Sequence, residues 1–221
     1  MSMIPIWDSP ANHKHKPVLT WLFLIINIGV FLYESSLSPE MLNTFIMQYG
    51  AVPSILAKGQ NIISLFTSMF LHGWWMHLIG NMLFLYVFWD NIEGRLGSVK
   101  FLIFYIIWWL AAHAWQILVM GLNSDIPSIW ASWCIAAVLG AYLVLFPDSQ
   151  IRMLNPYNMS VYSVWAGQFL MYWIILQLFS WTWSLFSAWE WGWVAYRAHI
   201  GWFVFGRLLG KTMRGEVGEV V

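Results

Sequence analysis

Six long apolar segments limit this 221-residue chain to a membrane-embedded fold more strictly than any other feature. Only 9% of its residues are charged, against about 25% in soluble domains. A membrane-spanning helix needs about 20 predominantly apolar residues. The segments lie at residues 18–33, 72–89, 99–120, 127–146, 159–187 and 190–210. We therefore predict an all-α, polytopic membrane protein built as a bundle of six transmembrane helices.

The remaining segments are expected to flank or connect this bundle. Residues 1–17 form a polar lead with three prolines, expected to be mobile, and residues 211–221 form a short tail. No cleavage-like site follows the first apolar segment, so that segment is expected to remain as a helix. Residues 34–70 are the longest connection, and their short apolar stretches favour an amphipathic segment lying in the membrane interface. Residues 18–210 are thus predicted to be one membrane domain.

The basic residues predict the orientation of the bundle. Six spans would place both termini on one side, together with eight of the ten lysines and arginines, whereas Lys58 and Arg197 would lie on the other side. This asymmetry predicts that both termini are cytoplasmic, in a plasma (inner) membrane. The formal net charge is zero, so a nucleic-acid partner is not expected. Cys134 is the single cysteine, which excludes an intrachain disulfide.

A few polar residues lie inside the apolar segments at a common predicted depth. His77 and Asn81 lie in the second segment, Ser132 in the fourth and His199 in the sixth. With both termini inside, these three segments all start at the outer side, so the four residues would lie roughly 7 to 14 Å below that surface. Polar residues at membrane depth are costly and tend to be functional.

These residue types match the components of a hydrolytic site. A serine needs a base to become nucleophilic, and His199 could serve as the base for Ser132. His77 and Asn81 are four residues apart on one helix face and could both donate to a developing negative charge. We identified no acidic residue at this depth, which favours a Ser-His dyad. Taken singly, each residue also has a structural interpretation, as a helix back-bonded serine or an interhelical contact.

Three short motifs resemble those of the rhomboid family of intramembrane serine proteases. His72, His77 and Asn81 reproduce the spacing of the family's second-helix motif, Ser132 lies where the family has Gly-x-Ser-Gly, and Ala198-His199 matches the sixth-helix motif. The resemblance covers residues 18 to 210. It implies that Ser132 is the nucleophile and His199 the general base. It also implies an oxyanion hole of His77, Asn81 and the Ser132 amide, with His72 as a supporting residue.

The resemblance further implies the reaction and its partners. The expected substrates are single-span membrane proteins, cleaved near the outer membrane face within the lipid bilayer, and neither a metal nor another cofactor is expected.

Tryptophans replace three glycines of these motifs, and this departure supports a second interpretation. Trp130 and Trp133 flank Ser132, and Trp202 follows His199 by three residues. Small residues let membrane helices approach closely, so three indoles could hold the serine and the histidine apart. The alternative is therefore a catalytically inactive rhomboid-like protein that binds membrane helices.

A transporter of metal ions or protons is a third interpretation. It would use His72, His77, His113 and His199, but such sites commonly also use a carboxylate. His113 matches no motif and is expected to be structural.

Overall fold

The computed structural model describes residues 4–9, 15–129, 131–184 and 192–217. Within these ranges the chain is mostly helical, with one small sheet. The helices are α1 (Val18–Ser36), α2 (Pro39–Tyr49), α3 (Pro53–Leu56), α4 (Ile63–Thr67), α5 (Trp75–Phe84), α6 (Asp90–Leu96), α7 (Ser98–Met120), α8 (Ala131–Leu145), α9 (Ala166–Ser184) and α10 (Gly192–Val217). The strands are β1 (Ile4–Asp8), β2 (Gln150–Leu154) and β3 (Val161–Trp165).

Helices occupy all six apolar segments, although they differ in length and hydropathy. Two described helical stretches are long and apolar enough to cross a membrane, Val18–Ser36 and Ser98–Trp115. The apolar stretches Cys134–Leu145 and Ala166–Phe179 are shorter. A mostly helical architecture is therefore confirmed, whereas six membrane crossings stay a prediction.

The second helix is longer than its apolar pattern indicated. A π-helical segment, Leu85–Trp89, joins α5 directly to α6, so the helical run continues to Leu96. Gly97 ends it with a φ of 78°, a left-handed conformation that glycine adopts without strain. The apolar pattern ends at Trp89 because polar residues follow, but Asn91 and Glu93 are buried, and the helix ends at Gly97, one of the two glycines that predict its end. Both carboxylate oxygens of Glu93 accept backbone N–H groups at the start of α1.

A three-stranded antiparallel sheet corrects the prediction of an all-α fold with a mobile lead. Strand β1 lies within residues 1–17 and pairs with β2, with Ile4 opposite Leu154. Strand β2 in turn pairs with β3, so the fifth helix begins at Ala166 and not near residue 159. Each strand has only five residues. A segment this short shows too few alternations of apolar and polar residues to predict a strand from the sequence.

Asp8 anchors the end of β1 to the helices. Its carboxylate is buried and accepts hydrogen bonds from the Asn91 amide and the Tyr142 hydroxyl. The Tyr142 hydroxyl also lies 2.7 Å from the Ser149 hydroxyl, just before β2. Residues 4–9 of the lead therefore have a fixed place at the end of the bundle that contains the β2–β3 hairpin.

Residues 34–70 form a helical cover at the opposite end of the bundle. Helix α2 has no buried residue, in keeping with a surface position. Ala51 pairs with Ser128 in an isolated antiparallel bridge just before α8. Trp109 and His113 of α7 bind the Leu65 carbonyl through their ring nitrogens, at 2.6 and 3.0 Å. The structural interpretation of His113 agrees with this contact.

Helices α8 and α10 run parallel and pack backbone to backbone. Gly206 lies against Ala137, and Gly210 lies against Ala141. A Cβ atom at Gly206 would overlap the Ala137 carbonyl oxygen, and one at Gly140 would overlap the Phe203 carbonyl oxygen. This seam of small residues sets how closely the two helices approach, as in other membrane helix pairs.

Candidate active site

His72 and Asn81 form a hydrogen-bonded pair at the start of the second helix. His72 lies just before α5, with its Nδ1 3.2 Å from the Phe70 carbonyl oxygen. Its Nε2 lies 3.1 Å from Nδ2 of Asn81. An amide nitrogen can only donate, so Nε2 of His72 is the acceptor and Nδ1 carries the proton that is donated to Phe70. This tautomer holds the Asn81 amide in one orientation.

His77 lies beside this pair, and its ring is tilted relative to two neighbouring rings. Its ring centroid is 5.1 Å from that of His72 and 4.9 Å from that of Trp74. Nδ1 of His77 has no hydrogen-bond partner among the described residues. Because His77 precedes Asn81 by four residues, both side chains lie on one face of α5. The structure thus brings together His72, His77 and Asn81.

His199 faces α9 from the first half of α10. Its Nδ1 lies 2.8 Å from Oε1 of Gln177, and its ring lies 6.0 Å from that of Trp173. The Trp173 ring in turn lies 6.3 Å from that of Phe84 on α5. Trp173 therefore lies between the imidazole and the helix that carries His77 and Asn81.

Ser132 is the second residue of α8, and its side chain lies outside the described part of the structure. Its backbone level follows from the seam between α8 and α10. Ala137 lies against Gly206, Ala141 against Gly210, and Gly140 against Phe203 and Arg207, so positions at the same level of the two helices differ by 63 to 69 residues. Position 132 is therefore level with positions 195 to 201, a range that includes His199.

The side of α8 on which position 132 lies follows from helical periodicity. Eleven residues are close to three full turns, so position 132 is in line with Leu143. Leu143 lies beside Gly167 of α9. Position 132 is thus on the side of α8 that borders α9, the helix that also contacts His199.

Of the three tryptophans that replace motif glycines, Trp202 is the one whose side chain the structure describes. Trp130 and the side chain of Trp133 lie outside the described residues. Trp202 is buried, and its ring meets that of Trp108 edge to face at 5.7 Å. Its indole therefore packs towards α7, and it neither faces lipid nor separates α8 from α10.

A buried carboxylate that the sequence reasoning missed lies next to His72. Glu34 belongs to the last turn of α1, is 2% exposed, and accepts the His72 backbone N–H at 3.2 Å. Its Oε1 has no hydrogen-bond partner among the described residues. The apolar pattern predicts that the first segment ends at residue 33, which leaves Glu34 in the polar connection. Helix α1 instead continues to Ser36, nearly one turn further.

Two substitutions at Glu34 test its contact with His72. We expect Glu34→Leu to unfold at a lower temperature than Glu34→Gln, because only glutamine keeps an acceptor for the buried N–H. An unsatisfied buried donor lowers the free energy of unfolding by about 1–3 kcal/mol. In a chain of this size, each kcal/mol lowers the melting temperature by about 2–4 °C. Thermal unfolding in detergent measures the difference, and equal melting temperatures would contradict the role.

The described residues contain no cluster of three His, Cys, Asp or Glu side chains that could hold a metal ion. The histidines instead contact carbonyl, amide and aromatic groups.

Comparison with known proteins agrees with this architecture. The family model of the rhomboid domain matches residues 59–216, most of the chain. The chain therefore belongs to the rhomboid family and is an integral membrane protein.

A curated relative is similar over nearly the whole chain. It is Rhomboid protein 1, mitochondrial, from Saccharomyces cerevisiae, which is 29% identical over 215 residues that cover 92% of this chain. The chain spans 58% of the length of that relative.

Proposed function

We propose that this rhomboid protein is an intramembrane serine endopeptidase in which Ser132 attacks the peptide and His199 accepts its proton. The observation that carries the proposal is the common level of position 132 and His199, set by the α8–α10 seam. Both positions also border α9. A nucleophile and its base must come within hydrogen-bond reach, and a shared level on adjacent helices is the arrangement this requires.

His77 and Asn81 are proposed to stabilise the oxyanion, together with the backbone N–H of Ser132. His77 supports the proposal because its Nδ1 has no partner among the described residues. One hydrogen of the Asn81 amide bonds His72, and the other is proposed to bond the oxyanion. Donors fixed before the reaction stabilise developing charge without reorganising, which is the main source of catalysis in such sites.

The proposed substrates are single-span membrane proteins whose helices unwind locally near the outer membrane surface. The site lies at the end of the bundle covered by residues 34–70, so water and an unwound backbone would enter from that side. No metal or other cofactor has a role in this chemistry.

A catalytically inactive, helix-binding rhomboid is the second candidate function, and Trp133 is the observation that favours it. Trp133 precedes Ala137 by four residues and therefore continues the α8 stripe that meets α10. Position 133 is also next to that of the proposed nucleophile, Ser132. At the closest contacts of the seam, Gly206 lies against Ala137 and Gly210 lies against Ala141.

Covalent labelling separates the two candidates. A fluorescent phosphonate reacts with an activated serine and forms a stable bond, so an active protein in detergent becomes labelled at Ser132. Mass spectrometry of the labelled peptide identifies the site. An inactive helix-binding protein would remain unlabelled while still co-purifying with a membrane helix.

The proposed topology places both termini on one side of the membrane and residues 34–70 on the other. Lys58→Cys is expected to react with a membrane-impermeant maleimide from outside intact cells, whereas Lys211→Cys should react only after permeabilisation. Both side chains are exposed. The reverse labelling pattern would overturn the orientation.

The membrane that contains the protein is a separate proposal. The basic-residue asymmetry supports a plasma membrane with cytoplasmic termini, whereas the name of the yeast relative refers to the mitochondrion. Fractionation of the source cells tests the assignment.

A further inference from the structure

We infer that Gln177 is a positioning residue that holds His199 in its catalytically competent tautomer, an inference that rests on the proposed protease function. Gln177 lies on α9, and its Oε1 is 2.8 Å from Nδ1 of His199. Both side chains are partly buried. Sequence reasoning found no acidic group to orient this imidazole, and the structure supplies a neutral amide in that place.

The chemistry of the pair determines the tautomer. An amide oxygen can only accept a hydrogen bond, so Nδ1 of His199 must carry the proton. Nε2 of His199 is then the unprotonated nitrogen, with a lone pair for the Ser132 hydroxyl proton. A base oriented by a third group in this way is the general arrangement of activated nucleophiles.

Trp173 completes the support for His199 from the same face of α9. It precedes Gln177 by four residues, so the two side chains lie one above the other. Its ring contacts the imidazole at 6.0 Å with an interplanar angle of 45°. Gln177 therefore fixes the rotation of the ring through one hydrogen bond, while Trp173 lies beside the ring at an angle.

The level of Gln177 in the bundle agrees with this role. Gly167 of α9 lies beside Leu143 of α8. Gln177 is about 15 Å further along α9, and position 132 is about 16 Å back along α8, both from the rise per residue. The nucleophile, the base and the positioning amide thus share one layer across three helices.

A neutral amide suits this depth better than a carboxylate. A charged side chain within the bilayer is costly, whereas a glutamine that pairs with a histidine satisfies its polar group at a smaller cost. A neutral amide also stabilises the imidazolium cation less than a carboxylate would. The expected contribution of Gln177 is therefore orientation of the base, with little added basicity.

The test compares Gln177→Met, Gln177→Glu and a matched control, Gln168→Met, in the full chain in detergent. Gln168 lies on the same helix but is exposed and contacts the backbone N–H of Trp165. We expect Gln177→Met to lower the rate of phosphonate labelling, and kcat on a membrane substrate, by about 10- to 100-fold. That loss is part of the 10²–10⁴-fold contribution of a general base.

The other two variants define the mechanism. Gln177→Glu keeps the acceptor, so its kcat at neutral pH should stay within a few-fold of the unaltered protein, with a shifted pH profile. Gln168→Met should change neither kcat nor KM. A KM effect without a kcat effect in Gln177→Met would overturn the inference, because a positioning residue for the base acts on the chemical step.

A second readout does not depend on activity. Histidine labelled with ¹⁵N distinguishes the two neutral tautomers by NMR, and the His199 signals are assigned by their loss in His199→Ala. The unaltered protein should show the Nδ1–H tautomer, and Gln177→Met should shift His199 towards Nε2–H. An unchanged tautomer would overturn the inference. Absence of labelling in every variant, with the tautomer shift present, would instead overturn only the protease function.

Discussion

Replacing Ser132 with alanine is expected to abolish both phosphonate labelling and substrate cleavage, and replacing His199 with alanine should have nearly the same effect. The two residues act as a unit, so either loss removes nucleophilic catalysis almost completely and the double variant is no worse than the single ones. The measurement is the second-order labelling rate in detergent, followed on a gel. Labelling that persists in Ser132→Ala would mean that another residue is the nucleophile.

The oxyanion donors provide a graded comparison for the same assay. Asn81→Ala should reduce kcat by less than Ser132→Ala, because loss of one donor costs about 2.7–4 kcal/mol while the others remain. His72→Ala should act through Asn81, since Nε2 of His72 accepts the Asn81 amide. The double variant of His72 and Asn81 should therefore lose little more than Asn81→Ala alone.

Replacing Trp130 and Trp133 with glycine is expected to raise the labelling rate by about tenfold or more. Even an added methylene in a packed interface costs about 1–3 kcal/mol, and about 1.4 kcal/mol corresponds to tenfold in rate. The double change should exceed the product of the single changes, because neighbouring packing effects are not additive. An unchanged rate in the double variant would show that neither indole obstructs the dyad.

Trp202→Gly is the matched control for this experiment and should behave differently. Its indole packs against Trp108, away from the α8–α10 seam. The change should leave a cavity and lower the free energy of unfolding by about 3–5 kcal/mol, as other large aromatic truncations do. A gain in labelling with Trp202→Gly would contradict this assignment of its ring.

The sequence predicted those parts of the fold that depend on long apolar segments and fixed motif spacings. The helices follow from hydropathy, and the proximity of His72, His77 and Asn81 follows from their spacing on and before one helix. Family membership followed from the same motifs, and the match to residues 59–216 confirms it.

The features that the sequence could not predict depend on contacts between distant segments. Strand β1 is only five residues long and has meaning only beside β2. In the sequence, Gln177 is only a polar residue in an apolar segment. Its role depends on its contact with His199 of α10, which the sequence does not show. The sequence suggests that Trp202 holds two helices apart, because it does not show that Trp202 can pack against Trp108 of α7.

The pairing of β1 with β2 determines when the sheet can form during synthesis of the protein. Ser9 and Ser149, which meet at the end of these strands, are 140 residues apart in the chain. At a synthesis rate of 5–20 residues per second, the amino-terminal strand waits about 7 to 28 s for its partner to emerge from the ribosome. During that interval the Asp8 carboxylate lacks the hydrogen bond from the Tyr142 hydroxyl. The sheet therefore forms late, after the first four apolar segments have left the ribosome.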